Sequence, residues 1–171
     1  ITTSVLLLLS SFYGFFALNA VMHRAMHISP FLYKFHKPHH EFKITTGIAA
    51  EHHHIIDSIA NAIPTFLPPL LLNFHPIHWI IHMFLRTWES VDTHSGYALP
   101  FTPFRYLPGL AYQQEYHCFH HHTNQGTYSC LIFDHFFYSE DEPFLKFVGK
   151  DFIGALSYGV FGGEYKMGKG G

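Results

Sequence analysis

Only two cysteines occur in the chain, Cys118 and Cys130, and their spacing matches no paired-cysteine motif. A disulfide framework is therefore not expected. Formal charge is also scarce, at 13% Asp, Glu, Lys and Arg against about 25% in ordinary soluble domains. The net charge of -2 with histidines neutral produces no large basic field, and neither an arginine-rich helix nor zinc-finger spacing is present, which argues against nucleic acid as a partner. No interdomain linker or second apolar core is visible. One domain is expected over residues 1–161, followed by a flexible glycine- and lysine-rich tail, 162–171, with little to bury. The first residues lack a basic stretch or small-residue cleavage site, so a signal peptide is not expected, while the start at Ile1 implies an upstream piece.

What is abundant is apolar and aromatic, 48% and 18% of the 171 residues. Ile1 to Met22 carries no formal charge, and Val5 to Val21 is apolar nearly throughout, close to the roughly 20 residues a membrane span needs. A second uncharged run lies between Asp57 and Arg86, punctuated by Pro64, Pro68, Pro69 and Pro76, with a turn signal at Asn73 to Pro76. This predicts a helical hairpin, out through about residue 72 and back from about residue 77, its first arm kinked at the adjacent prolines. Each arm would cover only about 22–25 Å, short of a clean crossing. The hairpin ends near His54 and His94 then share a side with His23. Lys34, Lys37, Lys43, Arg86 and Arg105 fall there too and the tip has no basic residue, so the positive-inside rule makes that side cytoplasmic. Pro100 to Asp151 would form a polar and aromatic cap.

The unusual count is 17 histidines, most of them in tight groups. His23 and His27 lie in HRAMH; His36, His39 and His40 in HKPHH; His52, His53 and His54 are consecutive; His117, His120, His121 and His122 close HCFHHH; His94 stands alone in THSGY. Residues four apart on a helix are about 40° apart around it and about 6 Å along it, which suits one metal or a close pair. The His-x-x-His-His pattern occurs twice, at 36/39/40 and 117/120/121, and a helix would gather its three imidazoles in an arc of about 100°. Pro38 suits a first turn, which would leave His36 just before the helix. Eight histidines in three groups exceed the needs of a zinc site, so two metals are implied. Imidazole suits iron, copper, nickel and zinc alike.

Neutral ligands leave the charge of two divalent cations uncompensated, and a metal-bound histidine usually gives its other ring N–H to a carboxylate or carbonyl. Glu41, Glu51, Asp57, Glu89, Asp92 and Glu115 lie beside the histidine groups and are candidates for that role, with salt bridges to Lys37, Lys43 or Arg86 as the alternative. His75 sits at the hairpin tip, on the wrong side for the cluster. His78 and His82 are read as packing or interfacial groups, and His52, His53, His122 and His135 as supporting or structural. Phe31, Tyr33, Trp79, Trp88 and Tyr97 would line a substrate slot or serve packing and interface anchoring.

Together HRAMH, LYKFHKPHHEF, RTWESVDTHSGY and YHCFHHHTNQGTYS resemble the fatty acid hydroxylase and sterol desaturase superfamily, most nearly its methylsterol monooxygenases, which oxidise the methyl groups at sterol carbon 4. The likeness runs from about His23 to Asp134. It implies an all-α integral membrane helical bundle with a cytosolic, histidine-rich cap holding a di-iron site, in the endoplasmic reticulum membrane. It implies iron ligation by His23, His27, His36, His39, His40, His117, His120 and His121, with His54 and His94 added from the family's further histidine positions. Two Fe per chain, O2 as cosubstrate, and electrons from NAD(P)H through a reductase and a b-type cytochrome follow from the same likeness. The sequence departs from the family at Ile55, where proline is usual, at Asp57, where glutamate is, and in FDHFFYSED, which matches the family's ending only at Phe133, Asp134 and Phe137.

Two ferrous ions held by neutral imidazoles would use dioxygen to take hydrogen from an unactivated lipid C–H bond, while the protein holds the carbon close and excludes water. The histidine boxes do not report which carbon is attacked, so a desaturase, a hydroxylase or a sterol side-chain dealkylase remains open. A membrane metal transporter would place its ligands near the bilayer midplane, and a binuclear hydrolase favours bridging carboxylates.

Overall fold

The computed structural model describes residues 1–97, 99, 101–138 and 141–149. The expected tail, 162–171, lies outside the described residues. Within them the fold is all-α, built on one long helix. Helix α1 (Thr2–Ile28) is 27 residues long with a mean hydropathy of 1.9 over its most apolar stretch, 28% of which is buried. It is the one described helix long and apolar enough to cross a membrane, and apolar side chains such as Val5, Leu6 and Val21 face outward. A helix apolar on all sides belongs in an apolar medium on the faces that the protein leaves uncovered.

Pro30 ends α1. A residue before proline is driven out of the helical region, and Ser29 is extended at φ -88 and ψ 113. The chain restarts at once as α2 (Pro30–His36), with proline where a missing N–H is harmless and Ser29 Oγ accepting from Leu32 N at 3.4 Å. The break folds α2 back on α1, so that His36 meets His23 and His27. Lys37 and Pro38 stay near-helical and lead into a 3-10 turn, His39–Glu41. The helix thus precedes Pro38 and ends at His36, the reverse of the order expected from the sequence.

The hairpin is present as α3 (Ile55–Leu71) and α4 (Pro76–Thr93). α3 runs through Pro64, Pro68 and Pro69 as one assigned helix, with those prolines buried. Gly14 of α1 makes room for them: a Cβ there would stand 3.1 Å from Pro68 Cβ. His82 fastens the three long helices, its Nε2–H donating to Thr65 O at 3.1 Å and its Nδ1 accepting from Ser11 Oγ at 3.2 Å. This agrees with a packing role. Arg86 is buried, its guanidinium 3.2 Å from the Phe15 ring centre and its Nη1 on Glu89, the salt-bridge alternative for that acid.

The cap consists of a 3-10 turn at Pro103–Tyr106 and helices α5 (Gln113–Thr123), α6 (Leu131–Tyr138) and α7 (Glu142–Val148). Two apolar clusters hold it down. Phe12, Phe15 and Phe16 of α1 pack with Phe104, Leu110 and Cys130, while Tyr112, Tyr116 and Leu131 enclose Phe144. Phe16 joins α1 to the cap and is 1% exposed, so Phe16→Ala should cost about 3–5 kcal/mol. Thermal unfolding in detergent, followed by circular dichroism, should show the midpoint drop; an unchanged midpoint would mean that the cap does not depend on this contact.

Candidate metal centre

Nine histidines converge where α1, α2, α5 and the end of α4 meet. They divide into two groups, His23, His27, His36, His40 and His120 in one and His39, His94, His117 and His121 in the other, with the candidate ligand atoms of each group within 4.8 Å of one another. Both adjacent pairs among these nine are split: His39 and His40 serve different groups, as do His120 and His121. Neighbours on a helix point about 100° apart, whereas residues four apart point almost together. The pairs 23/27 and 36/40, the latter across the near-helical Lys37 and Pro38, therefore supply four of the five members of one group, and 117/121 supplies half of the other. Each His-x-x-His-His pattern feeds both groups, where a single shared face was expected.

The ring tautomers follow from their partners. A carbonyl or carboxylate oxygen only accepts, so the facing ring nitrogen must carry the proton. His36 Nδ1–H donates to Asp57 Oδ2 at 3.0 Å, His120 to Gly126 O at 2.7 Å, His121 to Phe42 O at 3.2 Å, His94 to Ser90 O at 2.7 Å, and His23 to Tyr128 O. In each neutral ring Nε2 is left with a bare lone pair. Yet His23 and His36 bring their Nε2 atoms to 2.9 Å, and the pairs 36/40, 94/117 and 117/121 to 3.0, 2.8 and 3.2 Å. The bare lone pairs of His23 and His36, both of which hold their protons on Nδ1, repel unless a cation lies between them. Metal–nitrogen bonds of about 2.1 Å at right angles would hold ligand atoms about 3.0 Å apart. His27 Nε2 and His120 Nε2 are buried with no hydrogen-bond partner among the described residues, as ligand atoms awaiting a metal should be. The residues present fit two metal ions.

Protonation is opposed at six of the nine rings. Burial first, and the neighbouring imidazoles second, keep His39, His40, His117 and His120 well below the ordinary histidine range. Burial likewise pushes His94 down to about 4 and His121 to about 2.

Of the six carboxylates expected to back the ligands, Asp57 does so, fully buried against His36 and held by Asn61 Nδ2 at 2.8 Å. Glu89 pairs with Arg86, Glu115 with Arg105 at 3.4 Å, Asp92 with the Gln114 amide and Glu41 with His52 at 3.2 Å. Glu51 is exposed on the 3-10 turn Gly47–Glu51. Backbone carbonyls fill the places those acids leave. Carbonyls carry no sequence signature, but the turn that aims two of them does: Asn124, Gly126 and Thr127 all have positive φ, at 58°, 52° and 54°, and NQG is a turn signal. His54 stands outside both groups. Exposed, it caps α3 through Nδ1, which accepts from Ile56 N at 3.1 Å, and its ring lies on Phe35. His53, expected only to support, stacks on His39 at 5.0 Å between ring centres.

A profile of the fatty acid hydroxylase family matches residues 5–139, which include all nine clustered histidines. The chain belongs to the fatty acid hydroxylase family. Among relatives of this family member, methylsterol monooxygenase 1-1 of Arabidopsis thaliana is 34% identical over 65% of the chain and 37% of its own length. Very-long-chain aldehyde decarbonylase GL1-10 of Oryza sativa subsp. japonica is 35% identical over 66% of the chain and 37% of its own length. A cholesterol 25-hydroxylase-like protein of Danio rerio is 33% identical over 64% and 44%. The chain thus spans well under half the length of these relatives. No solved structure matches. Family and site together are consistent with an iron-dependent, lipid-oxidising enzyme.

His121→Ala should lose metal from its group, whereas His54→Ala and His135→Ala should retain it, His135 being held by Asp141 at 2.8 Å. Metal content per chain in purified membranes, normalised by immunoblot, measures this; equal loss in all three would undo the assignment of His121.

Because the folded protein keeps these rings neutral, the unfolded chain binds more protons below about pH 6.5, and folding stability falls as pH drops through that value. Each such ring contributes about 1.4 kcal/mol per pH unit between 6.5 and its lowered folded value. Denaturant unfolding of the metal-free protein at pH 7.5 and 5.5 should show the loss, and equal midpoints would contradict it. Metal affinity should fall over the same interval, since protons compete for the same nitrogens.

Proposed function

We propose that this protein is a membrane-bound, di-iron, O2-dependent oxygenase acting on a lipid C–H bond, with oxidation of a sterol carbon-4 methyl group as its reaction. One observation carries the reading: two adjacent groups of imidazoles bring their candidate ligand nitrogens together at two points, with no carboxylate in either group. Bound there, two ferrous ions would supply dioxygen reduction and hydrogen abstraction. The ligands are His23, His27, His36, His40 and His120 for one ion and His39, His94, His117 and His121 for the other. Asp57 and the carbonyls of Phe42, Ser90, Gly126 and Tyr128 fix the rings and keep Nε2 free of protons. The buried setting excludes bulk water from the reacting carbon.

The sterol reading draws on similarity to methylsterol monooxygenases and on the apolar outer faces of α1, α3 and α4, suited to a substrate arriving from a bilayer. The membrane of the endoplasmic reticulum, a cytosolic metal site, and electrons from NAD(P)H through a reductase and a b-type cytochrome complete the proposal. Similarity to aldehyde decarbonylases at 31–35% identity favours a second reading, cleavage of a long-chain aldehyde at the same centre. Transport is disfavoured because the histidines gather at one end of α1 and away from its middle.

Elemental analysis with Mössbauer spectroscopy should find about two iron atoms per full-length chain. Mass spectrometry after aerobic incubation with 4-methylsterols, fatty acyl substrates and long-chain aldehydes should find oxidised sterol. A preparation holding one zinc and no iron, or an alkane as sole product, would overturn the reading.

A further inference from the structure

A cavity of about 290 Å³ between α1, α3 and α4 opens onto ligand rings of both groups, His94 and His117 among them. Rings on a cavity wall are packed by protein on one side only, so what holds them must lie elsewhere. His94 is tied to its own helix, Nδ1–H donating to Ser90 O at 2.7 Å. The contacts within hydrogen-bond reach of the His117 ring, among the described residues, are other imidazoles: His94 at 2.8 Å and His121 at 3.2 Å. Where His117 Nε2 stands is therefore decided by how α5 is seated on α4.

That seat is a hydrogen bond between two buried side chains. Gln114 of α5, 1% exposed, donates Nε2–H to Oδ2 of Asp92 on α4, 5% exposed. Cys118 Sγ also reaches Thr93 O across the junction, at 3.8 Å, but a thiol is a weak donor. Register connects the amide–carboxylate bond to the ligands. Gln114 precedes His117 by three residues, on the same face of α5 and about 4.5 Å along it. Asp92 precedes His94 by two residues at the end of α4. Gln113, about 100° around α5 from its neighbour, lines the cavity, whereas neither Asp92 nor Gln114 does. The bond thus grips both helices away from the cavity wall, next to the point where the His94 and His117 ring centres come within 4.2 Å.

We propose that Asp92 and Gln114 are positioning residues of the metal centre, whose hydrogen bond seats α5 on α4 so that His94 and His117 offer Nε2 to one ion. The proposal rests on the two-metal reading and goes beyond its ligand set. Its effect is confined mainly to one ion. Three of the four histidines in the second group, His94, His117 and His121, come from the end of α4 and from α5. Four of the five in the first, His23, His27, His36 and His40, come from α1, α2 and the 3-10 turn that follows. A shift of α5 on α4 spoils the second group and spares most of the first. Asp92 serves here as an acceptor, so the neutral amide of asparagine can replace it.

The test titrates the metal-free full-length protein in detergent with Co(II), whose visible absorption reports ligand number and geometry. The unaltered protein should bind about two ions per chain. Gln114→Leu should weaken one of them by about 10–100-fold and alter its spectrum, while the other stays within about threefold. Asp92→Asn, which still accepts from Gln114, should keep both. Adding Gln114→Leu to His121→Ala, whose second ion should already be lost, should change nothing further. Phe16→Ala, which loosens packing elsewhere, should not single out one ion. Two ions held by Gln114→Leu as tightly as by the unaltered protein overturn the proposal and leave the two-metal reading standing. Fewer than two in the unaltered protein overturn both. The same selective loss in Phe16→Ala makes the effect one of general stability, and a loss in Asp92→Asn as large as in Gln114→Leu makes it one of charge; either overturns the proposal. If Gln114→Leu does not fold, Gln114→Asn, whose amide stops one methylene short of Asp92, is read by the same outcomes.

Discussion

Nine imidazole rings meet in two groups, with neighbouring ring nitrogens as close as 2.8 Å, and the architecture exists to hold them there. The restraint comes mainly from the far side of the rings. Asp57 and four backbone carbonyls each take an Nδ1 proton, which fixes both ring rotation and tautomer. Burial then removes the other escape, protonation, because a charged imidazole would have to be desolvated beside its neighbours. A metal ion is what remains to occupy the space between them.

The scaffold meets this demand with breaks placed at helix ends. Pro30, two residues beyond Ile28, stops α1, so His23 and His27 face the returning His36 and His40. His94 sits at the end of α4, where its Nδ1 reaches the last-turn carbonyl of Ser90. Asn124, Gly126 and Thr127 turn back in positive φ and deliver two carbonyls to rings on different helices. Positive φ is costly for a β-branched residue such as Thr127, and here the returning strand of chain is anchored by Ser129 Oγ donating to Phe16 O at 2.6 Å. The same Ser129 carbonyl orients Gln113, so the ring-restraining turn and the polar part of the cavity share one support.

The aromatic residues divide along the same line. Phe15, Phe16 and Phe66 face the cavity, whereas none of Phe31, Tyr33, Trp79, Trp88 and Tyr97 is among its lining residues. Phe31 and Tyr97 are exposed, Tyr33 accepts from the Asn124 amide at 2.9 Å, and Trp79 and Trp88 rest on Phe66 and Phe104. Tyr33, Trp79 and Trp88 thus serve packing. Aromatic content marks a greasy environment, while position along a packed helix decides which ring reaches an internal space.

Much was determined by the sequence alone, because periodicity and spacing act locally. The apolar run of α1, the hairpin with its turn near Asn73, and the pairs 23/27, 36/40 and 117/121 all follow from 3.6 residues per turn. Eight of the nine clustered histidines stood out by spacing, and the ninth, His94, by resemblance to the family. What only tertiary structure decided was non-local. Adjacent histidines were divided between two groups, His54 became a helix cap outside both, and Arg86 was drawn beneath Phe15 of another helix, taking its i,i+3 partner Glu89 into the interior. Glu89, Asp92 and Glu115 found partners other than the ligands, and backbone carbonyls, which every residue possesses, took the role in their place. A side chain's spacing states where it can point; which other segment arrives to meet it depends on the packing of the whole chain.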